Sequence, residues 1–180
     1  MSALLDDFIP EPDVRERHST VVHAPADLVF SVASEMDLFS LPPVAAIFWL
    51  RERLLGSTRV TRKPRGLLAE TLGLGWGRLA ERPKRELVMG SVTQPWRGDV
   101  VFTAVPPERF AAFAEPDLVK IAWTLEAEPL DPTHTRFATE TRVVPTNEWA
   151  RRRFRRYWRF AGFGIVLIRW LLLPAVRREA

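Results

Sequence analysis

The chain has 180 residues, 47% hydrophobic and 27% charged, and no cysteine. These are the proportions of a folded domain with a substantial core, and they exclude wholesale disorder, disulfide stapling and thiolate metal sites. The net charge of +4 is unevenly placed: residues 147–180 carry nine Arg against two Glu, while the rest carry 17 Lys+Arg against 20 Asp+Glu, so the excess positive charge belongs to the last element.

Residues 1–14 read as a loosely attached arm, with Pro10 and Pro12 opposing regular structure. The start is acidic and lacks the basic and apolar regions of a signal peptide; with no cysteine, a cytoplasmic protein is expected. One domain is expected over 15–180. It opens with a strand at about 15–23, where Thr20, Val21 and Val22 are β-branched. Ala24-Pro25 ends the strand and starts a helix whose apolar stripe is Leu28, Val29, Val32 and Met36. Beyond a break at 38–43, Val44, Ile47, Phe48, Leu54 and Leu55 predict a second short helix closing at Gly56. Residues 57–75 have no clear period. The glycine-rich run at 73–77 lacks the strand-then-helix setting of a dinucleotide site and reads as a turn.

From Trp76 onward the texture is that of short strands, at about 76–81, 86–93, 99–105, 118–128 and 136–144. The gaps contain Pro83, Pro95, Pro106-Pro107 and Pro132, and are too short for parallel crossovers. One helical turn is expected near 110–114. The chain then closes with a long helix at 147–178, with Thr146 as the expected N-cap. Ala150, Phe154, Tyr157, Ala161, Ile165, Ile168, Leu172 and Val176 fall in one stripe of it. Burying eight such side chains at roughly 1.5–3 kcal/mol each requires a partner, and the strands supply one.

The stretch Val21-Val22-His23-Ala24-Pro25-Ala26-Asp27-Leu28-Val29-Phe30 resembles the strand-to-helix entry of the START-like (SRPBCC) superfamily, which includes birch-pollen-allergen-like and polyketide-cyclase-like proteins. Glu140-Thr141-Arg142-Val143 through Arg156-Tyr157-Trp158 to Ile168-Arg169 is similar to a bacterial branch of it. The resemblance implies an α+β helix-grip fold: a curved antiparallel sheet around a long C-terminal helix, with two short helices after the first strand. It also implies a hydrophobic cavity between sheet and helix. It leaves open whether such a cavity carries a ligand or hosts cyclase or dehydratase chemistry.

Strand phase says what that cavity would contain. Val119, Ile121, Trp123, Leu125 and Ala127 share an apolar face, opposite Lys120, Thr124, Glu126 and Glu128. Phe137, Thr139, Thr141 and Val143 share a face of the last strand; if it is inward, two hydroxyls enter an apolar space and need a neighbour, water or a ligand as partner. Val22 puts Thr20 and His18 on the same side as itself. His18 is therefore either a hydrogen-bonded structural residue or a group that orients a ligand. The three histidines have no metal-ligand spacing, and no nucleophile motif or phosphate loop is present, so neither metal nor cofactor is expected. A small hydrophobic molecule of lipid, polyketide or isoprenoid type is the expected ligand. Its expected contacts are His18, Trp96, Trp123, Phe137, Thr139, Thr141, Tyr157 and Ala161. Gly162 and Gly164, unfavourable in mid-helix, imply close packing or space for that ligand.

Six Arg lie within residues 151–159, and 160–176 is apolar apart from Arg169. Seventeen residues is at the short limit for a membrane span. The cluster suits an anionic membrane surface through Arg151, Arg152, Arg155 and Arg156. Phosphates are a second polyanionic match, yet Phe154 and Tyr157 belong to the buried stripe and are not free to stack on bases, which argues against nucleic acid. The structural alternative, expected here, is pairing with the sheet carboxylates Glu126, Glu128 and Glu140.

Overall fold

The structure is a computed structural model that describes residues 3–37, Arg53 and 66–180, excepting the side chains of Ala3 and of 160–172. Its elements are α1 (Ala3–Asp6), β1 (Val14–Val22), α2 (Ala26–Glu35), α3 (Leu67–Gly73), β2 (Gly77–Arg82), β3 (Glu86–Thr93), α4 (Pro107–Phe110), β4 (Val119–Asp131), β5 (His134–Pro145) and α5 (Glu148–Glu179). The expected helix at 44–56 lies outside the described residues but for Arg53.

The β4–β5 hairpin sets the frame. Its alternating sequences each present one apolar face, and the turn between them is tied locally. Asp131 accepts hydrogen bonds from the Thr133 amide at 2.8 Å and the Thr133 hydroxyl at 3.0 Å. The Thr133 amide bond, with His134 beside it, holds the Asp131 carboxyl down to about 2. Every neighbouring pair is antiparallel, in the order β1-β5-β4-β3-β2. That order, closed by one long terminal helix, is the helix-grip architecture.

Register assigns the two faces. Partnered residues share a side, so Val14, Glu16, His18, Thr20 and Val22 of β1 lie with Phe137, Thr139, Thr141 and Val143 of β5. Across β4 and β3 the same face continues through Ile121, Trp123, Leu125 and Ala127 to Leu87 and Met89. α2 and α5 cover it. At one end of α5, Phe154 packs with Val119 and Val143; at the other, Val176 joins Val22, Val29, Phe137 and Leu125. Ala150, Phe154 and Val176 are 0–2% exposed, as the helical stripe predicts. The helix starts one residue later than expected. Asn147 is the cap, accepting from the Ala150 amide at 2.8 Å, while the Thr146 hydroxyl is bonded to Leu118 on β4's approach.

The opposite face is also covered, which alters the picture of the first residues. Leu5 and Ile9 are 0% and 2% exposed, and pack with Leu79, Val88, Val92 and Phe110. The arm is not loose: the outer face of β3 and β4 is apolar enough to need it. α3 is a helix where no period was evident, and the turn after it places Gly75 at φ 99°, beside the Phe102 carbonyl, where no Cβ fits. The expected strand at 99–105 is reduced to one bridge, Val92 to Thr103. Side chains tether that segment instead: Ser91 and Thr93 hydroxyls donate to the Thr103 and Val101 carbonyls at 3.1 and 2.7 Å.

Candidate functional site

The inner face carries a polar row within apolar surroundings. His18 faces Thr139 directly across the β1–β5 ladder, Glu16 faces Thr141, and Thr20 faces Phe137. Trp123 is the partner of Thr141 on the next strand, and Met89 of Trp123. Thr139 and Thr141 are buried, and Phe137 is wholly so. The His18 side chain is 19% exposed, but its Nε2 is buried and has no hydrogen-bond partner among the described residues. The nearest carboxylate oxygen, Oε2 of Glu16, is 3.8 Å away, beyond hydrogen-bond distance. A buried polar nitrogen without a partner is costly and uncommon in a folded protein.

A recess of about 330 Å³ opens at this edge of the sheet, between β1 and the last turns of α5, walled by His18, Thr20, Leu173, Pro174 and Arg177. Glu16 and Arg177 are thus two charged groups of this region that the strand pattern of β5 and β4 did not single out. Glu16 was legible in the period-two alternation with His18; Arg177 depends on where the helix end lands.

The expected ligand contacts do not form one cluster. His18, Thr139, Thr141 and Trp123 are cross-strand neighbours, with Phe137 in the core beside them. Trp96 and Tyr157 lie elsewhere, around Phe154 under the start of α5, and Trp96 meets Trp149 edge-on at 5.8 Å. Trp76 is the nearer aromatic neighbour of Trp123, at 6.3 Å. The side chains of Ala161 and its neighbours lie outside the described residues, as does the expected packing at Gly162 and Gly164. Among the described residues no group of three His, Asp or Glu is placed to hold a metal ion.

Among the described residues the outer face holds the densest charge network, and none of the described α5 arginines takes part in it. Glu140, 0% exposed, accepts from Arg142 Nε at 2.7 Å and Arg17 Nη1 at 3.0 Å, and pairs with Arg15 at 2.8 Å. Arg17 also donates to Glu126 at 3.0 Å. Arg142, 1% exposed, reaches the Ile9 carbonyl at 2.7 Å and Asp6 at 2.5 Å, locking the arm down. Glu128 pairs with Arg136. The expected pairing of the helix arginines with Glu126, Glu128 and Glu140 is therefore wrong: those carboxylates sit on the face away from α5 and are satisfied by strand arginines. On α5 itself, Arg151 pairs with Asp13 at 2.8 Å and with Glu148.

No family model and no curated protein matches this chain. Among solved structures it is similar to a hypothetical protein of Helicobacter pylori, at 10% identity over 96% of this chain and 92% of that one, with a TM-score of 0.47. It is also similar to the Zhui aromatase/cyclase of Streptomyces sp. R1128, at 15% identity over 93% and 96%, TM-score 0.30. Ara h 8.0201 matches at 10% identity over 92% and 95%, TM-score 0.24. At these values the fold reading rests on the strand order and α5, not on the likeness.

Proposed function

We propose that the inner face beneath α5 takes up a small, largely apolar molecule, of lipid, polyketide or isoprenoid type, whose one polar group hydrogen-bonds to His18 beside Thr139. The observation that carries this reading is the buried, unpartnered Nε2 of His18, on the sheet face that also holds Trp123 and beside the recess at the end of α5. Leu173 and Pro174 of the recess and the half-buried Trp123 supply apolar area, and a single well-placed polar group fixes orientation, which is the usual division of labour in such pockets. The recess beside Arg177 is the route by which a ligand enters. We read the role as binding; the Thr139 and Thr20 hydroxyls and the Glu16 carboxylate share the face of His18, and a turnover assay separates binding from chemistry.

Gently purified protein should retain a hydrophobic compound, visible by native mass spectrometry and recoverable by solvent extraction. His18→Phe keeps the volume apolar and removes one hydrogen bond, so affinity for the recovered compound should fall about three- to tenfold, the worth of a single such bond. Repeatedly empty preparations that also fail to bind hydrophobic fluorescent probes would refute the reading. Turnover of the compound, lost in His18→Phe while binding persists, would replace it with the cyclase or dehydratase reading.

A further inference from the structure

Five arginines of α5 are exposed and have no carboxylate partner among the described residues: Arg152, Arg153, Arg155, Arg156 and Arg159. Helical spacing places Arg152, Arg155, Arg156 and Arg159 on the side opposite Ala150, Phe154 and Tyr157, which face the sheet. Positive charge in the first turns opposes the helix dipole, so the cluster is not there to stabilise α5. The acidic groups within reach are already engaged, since Glu148 and Asp13 are both bound to Arg151. Beside the patch, Trp149 is 40% exposed, with the Arg153 guanidinium 5.2 Å from its ring centroid. C-terminal to it the sequence turns apolar, from 160 to 176, with Arg169 as its one charge.

We infer that this outer side of α5 docks on an anionic lipid bilayer, lying in the interface. Clustered arginines attract acidic headgroups, and an exposed indole suits the headgroup level. In this proposal the contact is peripheral, with α5 lying along the surface; among the described residues no helix is long and apolar enough to cross a membrane. Nucleic acid fits less well. Phe154 and Tyr157 are committed to the sheet side, and Arg153 sits 5.2 Å from the Trp149 ring centroid, so the patch offers no row of free rings on which successive bases could stack. The inference does not depend on the ligand reading above.

The test is co-sedimentation of the full chain with vesicles of phosphatidylcholine alone and of phosphatidylcholine mixed with phosphatidylglycerol, at low and high salt. Binding is expected only to the anionic vesicles, weakening as salt rises. The triple variant R152Q/R155Q/R156Q should lose roughly a hundredfold in partitioning, because each basic side chain at such a surface is worth about fivefold. Its melting temperature should be unchanged, which separates lost docking from lost folding. R85Q/R97Q/R109Q removes equal charge elsewhere and should bind as the parent does. Equal binding to neutral vesicles, equal loss in both triple variants, or binding of single-stranded oligonucleotides without vesicle binding would each overturn the inference.

Discussion

Glu140→Gln is the substitution that reads most directly on the architecture. It keeps the shape of a side chain that is 0% exposed and removes its charge, leaving Arg142, Arg17 and Arg15 around it. The three do not suffer equally. Arg17 retains Glu126, and Arg15 is 38% exposed and finds water. Arg142 is 1% exposed and keeps only Asp6 and the Ile9 carbonyl. Breaking a buried pair typically costs 3–5 kcal/mol, and the surviving partners place this case near the low end, about 3 kcal/mol. For a chain of this size that is a fall of about 6–12 °C in melting temperature. The pH dependence supplies a second check. Burial by itself raises the Glu140 carboxyl, but hydrogen bonds from Arg142, Arg17 and Arg15 outweigh it and hold the group below its ordinary 4.5. A carboxyl depressed in the folded state contributes stability above its unfolded pKa and loses it as pH falls through the folded one. The gap between parent and variant should be full at neutral pH and close progressively on acidification below 4.5. Urea unfolding followed by circular dichroism at a series of pH values measures both. A neutral-pH loss under about 1 kcal/mol, or a gap that stays constant into acid, would refute the claim that this carboxylate is a desolvated counterion.

Two further outcomes test the packing. Leu5→Ala should lower stability by about 2–5 kcal/mol in the same unfolding assay, as befits a fully buried leucine; a loose arm would lose almost nothing. Asn147→Ala should lower it by about 1 kcal/mol through loss of the α5 cap, whereas Thr146→Ala, read by the same melt, should leave the helix end capped.

What could be read from the sequence was what repeats with a short period. The α5 stripe and the alternation of β4 and β5 follow from which side chains must leave water, so the helix, the hairpin and the shared face of Thr139 and Thr141 were legible, while the register decided that this face points inward with His18. β3 is buried along its whole length on both sides, and a strand of that kind shows no alternation. That hid the second covered face, and with it the need for residues such as Leu5 and Ile9 to cover it. Charge pairing was not legible for a different reason. Glu126 and Glu140 looked like partners for the helix arginines because opposite charges attract at any separation the sequence permits, but a strand's side chains lie on one side of the sheet or the other. Register put both carboxylates on the face away from α5, next to Arg17 and Arg142. The sequence could count the arginines of α5; only the fold, by spending the acidic groups elsewhere, left Arg152, Arg155 and Arg156 exposed without a carboxylate partner among the described residues.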